Sequence, residues 1–133
     1  MFVLDRRTGK VQRAPVPGAR AVPRGGEATE PAISADGRVV AFTYRPPPSF
    51  AAVTGVHVVA WDRRTGKVEV VSRRRGGGTA IDSRQPSISS DGRYVAYTSS
   101  DPGIRPENET PGCELNCPEE DDVFRFDRRT GAT

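Results

Sequence analysis

The chain has 133 residues, a length that suits one small domain, and its formal net charge is +3. Hydrophobic residues make up 35% of the sequence, and 14 glycines with 12 prolines indicate many turns and few helices. No apolar run approaches the roughly 18 residues that a membrane-spanning helix needs, and the start of the chain lacks the pattern of a signal peptide. We therefore expect a soluble chain without a membrane span, beginning inside a longer sequence.

The first element is a short apolar run that leads into Asp5-Arg6-Arg7-Thr8-Gly9. The same pentapeptide, Asp-Arg-Arg-Thr-Gly, returns at 62–66 and 127–131. Its aspartate and threonine can accept hydrogen bonds from N–H groups of a turn, and its glycine suits a left-handed backbone. We predict a hairpin turn at each copy, and we favour this turn role over a catalytic or ligand-binding role.

A second repeated segment alternates with the pentapeptide. It reads Pro-x-Ile-Ser-x-Asp-Gly-Arg-x-Val-Ala-(Phe/Tyr)-Thr and occupies 31–43 and 86–98. The Asp-Gly pair predicts a tight turn, so each copy is predicted to be a β-hairpin. The run 39–44 is β-branched and aromatic on both faces, which is typical of a strand packed between two other sheets.

The strand that enters the second pentapeptide, 56–61, is followed by an exit strand at 67–71. The exit strand alternates charged and apolar residues, which predicts a half-exposed outer strand. Two hairpins, and so four strands, recur about every 55 to 65 residues. This period favours the blades of a β-propeller over a solenoid or an immunoglobulin-like sandwich.

Segment 31–43 resembles the hairpin of the TolB-like (WD-like) β-propeller repeat family, and segments 2–10, 56–67 and 123–131 resemble the strand and turn that follow it. The resemblance implies an all-β chain of four-stranded antiparallel blades. It implies that 1–133 forms a partial propeller of about two and a half blades. In these terms 1–14 ends one blade, 30–72 forms a full blade, and 85–133 forms a blade that lacks most of its outer strand.

The resemblance implies a non-catalytic binding or scaffold module, with a protein partner and no cofactor, in the bacterial periplasm or secreted. A closed propeller has four to eight blades. We therefore expect either a fragment of a longer protein or a homo-oligomer that completes a ring. The alternatives are a substrate-gating propeller segment of a prolyl-oligopeptidase-like serine peptidase and a calcium- or carbohydrate-binding propeller.

The loop 99–122 is the least repetitive segment. Cys113 and Cys117 are its only cysteines and have three residues between them, which favours a local disulfide over free thiols or a zinc site and would indicate an exported protein. The adjacent run offers carboxylates for calcium, although its spacing fits no calcium-binding loop and a solvated acidic loop is favoured. The calcium candidates are Glu119, Glu120, Asp121 and Asp122.

Arginine pairs and runs are the main basic feature, at 6–7, 63–64, 73–75 and 128–129. Guanidinium groups bind phosphate well, but three of these four sites belong to the repeated turn. We therefore expect solvated turns and no nucleic-acid partner. His57, the only histidine, has no triad order or nucleophile elbow beside it, and we expect a packing or edge residue. We expect Trp61 to pack between blades.

Overall fold

The computed structural model describes residues 1–15, 26–48, 55–104 and 121–133. Nine β-strands and one turn of 3-10 helix (Pro102–Ile104) make up the regular structure of these residues. None of the helical structure described there is long and apolar enough to cross a bilayer. The strands are β1 (Phe2–Leu4), β2 (Val11–Arg13), β3 (Glu27–Ile33), β4 (Val39–Arg45), β5 (His57–Asp62), β6 (Val68–Val70), β7 (Ser83–Ile88), β8 (Tyr94–Ser99) and β9 (Asp122–Asp127).

The strands form three antiparallel sheets in which neighbours in sequence are neighbours in space. The first sheet is β1-β2, the second is β3-β4-β5-β6, and the third is β7-β8-β9. This confirms the prediction of an all-β, antiparallel chain, and the second sheet has the four strands expected of a blade. The number of blades and their boundaries stay predictions.

The second sheet lies between the other two, and its strand β4 is buried from Val39 through Tyr44. Val39 and Ala41 share a core cluster with Val95, Tyr97 and Phe126 of the third sheet. The opposite face of β4 packs toward the first hairpin in a second cluster, together with Trp61. Segment 39–44 is therefore apolar on both faces because each face packs against another sheet.

The two Asp-Gly turns have the backbone that the sequence predicts, since Gly37 and Gly92 have φ angles of 68° and 70°. Gly92 also marks a close approach between sheets. A Cβ at this position would lie 2.8 Å from Cγ2 of Val39. The N–H of Ala35 donates to the carbonyl oxygen of Ser90 at 3.0 Å, so the two hairpin tips are bonded directly.

Candidate interaction surfaces

Each Asp-Gly-Arg hairpin is closed by its own serine and aspartate. The hydroxyl of Ser34 donates to Asp36 at 2.6 Å, and the N–H of Arg38 donates to the same carboxylate at 3.0 Å. In the third sheet Ser89 donates to Asp91 at 2.6 Å. The serine hydrogen bond is the main reason why the pKa of each aspartate lies below its ordinary value. These side chains stabilise the turns.

The arginine of the hairpin reaches the aspartate of the pentapeptide turn. Nε and Nη2 of Arg38 donate to Oδ2 of Asp62 at 2.9 and 2.6 Å. The other oxygen of Asp62 accepts from the N–H groups of Arg64 and Thr65 at 2.9 and 3.1 Å. The Arg38 guanidinium, helped by these N–H groups, lowers the pKa of Asp62 to about 2.

The third sheet repeats this arrangement. Nη2 of Arg93 donates to Oδ2 of Asp127 at 2.6 Å, and the Arg93 guanidinium lowers the pKa of Asp127 to about 2. The predicted turn role of the pentapeptide is confirmed in these two copies. Its aspartate also anchors the neighbouring hairpin, a contact that the sequence analysis missed. The available signal was that both partners lie in repeated segments.

The first arginine of the pentapeptide joins adjacent sheets. Arg63 donates from Nη1 to the carbonyl oxygen of the hairpin glycine in its own sheet at 2.6 Å, and from Nε to Oε1 of Gln12 on β2 at 2.7 Å. Arg128 repeats both contacts at 2.8 Å, the second of them to Glu69 on β6. These two guanidinium groups are therefore structural and half-buried, so the expectation of solvated arginines at the turns is wrong for Arg63 and Arg128.

A pair of strained residues marks the end strands β3 and β7. Glu30 and Gln85 have φ angles of 51° and 56°, and each sits at a register shift and precedes a proline. Oε2 of Glu30 accepts from the hydroxyl of Thr43 at 2.6 Å and from the N–H of Gln85 at 2.8 Å. These two hydrogen bonds lower the pKa of Glu30, and the bond from the Thr43 hydroxyl has the larger effect.

The strained pair lies in an exposed area that we term the inner-edge surface. It is formed by two strands that each stand at the end of a sheet and contact one another. Positive φ in residues other than glycine is uncommon and concentrates at functional sites. The exposed residues of this surface are Glu27, Thr29, Glu30, Pro31, Ile33, Arg84, Gln85 and Ser87.

A basic cleft of about 360 Å³ lies between the arginine run 73–75 and the segment 131–133. Arg73 donates from Nε to the carbonyl oxygen of Val70 at 2.7 Å, and its guanidinium lies 5.7 Å from the ring centroid of Phe126. Arg74 forms an ion pair with Asp101 at 3.0 Å. Two of the three arginines therefore have structural partners.

Asp101, one of the carboxylates upstream of the acidic run, is buried and bonded within the protein. Burial acts to raise its pKa, but the N–H groups of Ile81 and Gly103 and the side chain of Arg74 outweigh that effect, and the pKa is lowered. Its oxygens therefore serve the loop structure.

The calcium and disulfide candidates fall largely outside the described residues. Cys113, Cys117, Glu119 and Glu120 are not among them, whereas Asp121 is exposed and Asp122 begins β9. Within the described ranges, no group of three or more His, Cys, Asp or Glu is placed to hold a metal ion. The disulfide and the calcium site remain predictions.

His57 and Trp61 are packing residues, as expected. His57 is 1% exposed on the interior strand β5, and its Nδ1 lies 2.8 Å from the carbonyl oxygen of Ala80. Because a carbonyl oxygen only accepts, Nδ1 carries the proton. Trp61 packs in the cluster that also contacts Met1 and Val3 of the first hairpin.

Comparison with known proteins identifies the fold. No protein-family model matches the sequence, and no curated protein matches it. Among solved structures, the crystal structure of TolB from Acinetobacter baumannii is similar, with a TM-score of 0.54 and 17% sequence identity. The matched region covers 98% of this chain and 24% of that one, so the chain spans about a quarter of the TolB chain. The chain has a TolB-like β-propeller fold, as its repeats predict.

Proposed function

We propose that this chain is a non-catalytic β-propeller module that binds a protein partner at the inner-edge surface. The observation that carries the proposal is the recurrence of positive φ at Glu30 and Gln85, equivalent positions in adjacent sheets. Strain of this kind costs on the order of 1–3 kcal/mol per residue. A repeated cost at an exposed edge supports a role for that edge in recognition.

The chemistry of the surface supports a polar protein partner. Glu27, Glu30 and Arg84 place charges of both signs beside exposed proline and serine. An end strand also presents main-chain N–H and C=O groups that a partner segment can pair with. Asp62 and Asp127, whose pKa values are lowered to about 2, hold structural arginines instead, and this supports binding over catalysis.

Site-specific photo-crosslinking tests the proposal. A photoreactive amino acid is placed at Thr29 or Ser87 on the inner-edge surface. The control position is Lys67, an exposed residue in the turn between β5 and β6. After irradiation in the native host, the first two positions should give a discrete protein adduct that Lys67 does not give. Equal labelling at all three positions, or no adduct at Thr29 and Ser87, would contradict the proposal.

We further propose that the module is exported and works within a larger propeller. A Cys113–Cys117 disulfide would resist thiol alkylation of protein taken directly from cells until a reductant is added. Immediate alkylation would argue against export. A ring of four or more blades requires further blades, from this polypeptide or from other copies. Native mass spectrometry of the assembly tests this, because a well-folded single copy of 133 residues would contradict it.

A further inference from the structure

The second arginine of the pentapeptide is exposed in all three copies. Within the described part of the chain, the side chains of Arg7, Arg64 and Arg129 form no hydrogen bond or ion pair. Their main chain is fixed, because the N–H of each donates to the aspartate of its own turn at 2.9 Å. Each turn therefore carries an exposed guanidinium group on an ordered backbone. We term these three residues the arginine row.

The three turns follow one another at a regular offset. Arg63 of the second turn bonds Gln12 on β2 at 2.7 Å. Arg128 of the third turn bonds Glu69 on β6 at 2.8 Å. Gln12 and Glu69 occupy the same position after their own pentapeptides, so each turn lies on the exit strand of the turn before it. Because the blades of a propeller repeat around one axis, turns related in this way lie in one plane.

Positive charge is concentrated at these turns. Each pentapeptide has two arginines and one aspartate, so the three copies carry a net charge of +3, which equals the formal net charge of the whole chain. The Asp-Gly-Arg hairpin turns lie at the same end of the sheets, and each of them is neutral. The rest of the chain is also neutral in total. This end of the molecule therefore attracts anions.

The chemistry of the turns favours a phosphate-rich surface over a protein or a single-stranded nucleic acid. The pentapeptide contains no apolar or aromatic residue. A protein interface usually has an apolar core, and single-stranded nucleic acid is bound by stacking on aromatic side chains. Guanidinium groups bind phosphate oxygens in pairs without either feature. An arc of such groups in one plane can contact a flat surface with all its members at once, whereas a cylindrical duplex would touch only part of it.

We propose that the arginine row binds the chain peripherally to an anionic lipid bilayer, with its guanidinium groups on the headgroup phosphates. Sheets packed face to face are about 10 Å apart, which is close to the Debye length at physiological salt. Repulsion between neighbouring arginines is therefore largely screened, and each can bind a separate headgroup. The row is distinct from the inner-edge surface, and the proposal does not depend on the function proposed for that surface.

Sedimentation with lipid vesicles tests this proposal. The folded chain should bind vesicles of phosphatidylcholine with about one-third phosphatidylglycerol but not vesicles of phosphatidylcholine alone, and the binding should weaken as the ionic strength rises to about 0.15 M. A basic residue beside an anionic bilayer strengthens binding about fivefold. The triple variant Arg7→Gln, Arg64→Gln and Arg129→Gln should therefore bind on the order of 100-fold more weakly.

A second triple variant is the matched control. It replaces Arg13, Arg45 and Arg75 by glutamine, which removes the same charge from exposed residues outside the pentapeptide turns. Its affinity for the anionic vesicles should stay within about fivefold of that of the unchanged chain. Circular dichroism checks that both variants fold. Equal losses in the two variants, or unchanged binding when the arginine row is replaced, would overturn the proposal.

Soluble competitors distinguish the possible sources of phosphate. Glycerol phosphate, at the phosphate concentration of the vesicles, should leave vesicle binding nearly unchanged, because separate anions do not form a planar array. Displacement by glycerol phosphate would mean that the row binds single phosphate groups, and it would overturn the proposal. Tighter binding to a DNA duplex or to heparin than to vesicles, at equal anion concentration and lost in the arginine-row variant, would assign the row to that polyanion instead.

Discussion

The strands β4 and β8 derive from the same repeated segment, yet they are buried differently. Six successive residues of β4 are buried, from Val39 to Tyr44, whereas buried and half-buried residues alternate along β8. Both faces of β4 pack on core clusters, one toward the third sheet and one toward the first hairpin. In the described chain, β8 has such a neighbour on one face. The same sequence pattern therefore forms a strand that packs on one face or on both faces, depending on the position of its sheet.

One of the four positions at which the two copies of the repeat differ, 39 in β4 and 94 in β8, follows this difference. Val39 lies in the core between two sheets, whereas its counterpart Tyr94 is half-buried on the outward face of β8. The guanidinium carbons of Arg93 and Arg125 lie 4.7 and 4.9 Å from the Tyr94 ring centroid. An aromatic ring under two cations tolerates water better than a bare aliphatic surface does.

Substitutions that overpack the core should give the largest difference in stability between β4 and β8. Ala41 is fully buried against the third sheet, while its counterpart Ala96 is half-buried on the outward face. Ala41→Leu should lower the free energy of unfolding by about 1–3 kcal/mol, because the packed core has no room for the added carbons. Ala96→Leu should change it by about 0.5 kcal/mol at most. Urea unfolding followed by circular dichroism measures both, and equal losses would mean that the outward face of β8 is also packed.

Acid titration tests whether the arginine–aspartate pair of the second sheet and that of the third sheet contribute to stability in the same way. The pKa of Asp62 is lowered from 3.8 to about 2, so its stabilising contribution is complete above pH 3.8 and is lost as the pH falls toward 2. Asp62→Asn should therefore reduce the loss of stability between these pH values. At neutral pH this substitution should lower the free energy of unfolding by about 1–2 kcal/mol. This is a small loss for a hydrogen bond between charged groups, because the Arg38 side chain is 44% exposed and solvent weakens the attraction.

Asp127→Asn should act in the same direction, because the pKa of Asp127 is also lowered to about 2 by its arginine. Thermal unfolding recorded across the acid range measures both variants. If only one of them flattened the pH dependence, the two arginine–aspartate pairs would not be equivalent in solution.

The smallest effect concerns the contacts between sheets. Arg63 bonds the neutral amide of Gln12 at 2.7 Å, whereas Arg128 bonds the carboxylate of Glu69 at 2.8 Å. Gln12→Glu should make the first contact resemble the second and stabilise the protein by up to about 1 kcal/mol at low salt. Added sodium chloride should reduce the gain. The matched control, Glu69→Gln, should lose stability with the same salt dependence, and a gain that salt does not change would rule out an electrostatic origin.

Much of the fold could be predicted because turn chemistry and strand patterns act over a few residues. The Asp-Gly pairs and the pentapeptide locate the hairpins, and the strands expected at 39–44, 56–61 and 67–71 lie within one residue of those observed. The double-sided apolar run at 39–44 correctly indicates a strand between two sheets. The closely similar run 94–98 does not reveal that its strand packs on one face, since that depends on the neighbouring sheet.

The repeats, the turns and the all-β architecture follow from the sequence alone, because each depends on local backbone preference and side-chain alternation. Which side chains bond to one another depends on the tertiary structure. The bond from Arg38 to Asp62 spans 24 residues, and that from Gln85 to Glu30 spans 55. The exposure of Phe2 and Leu4 likewise depends on sheet packing, since Val3 between them packs on the second sheet while their own side chains lie on the other face of β1. Contacts at such separations are set by how whole sheets pack, and local sequence chemistry does not specify that packing.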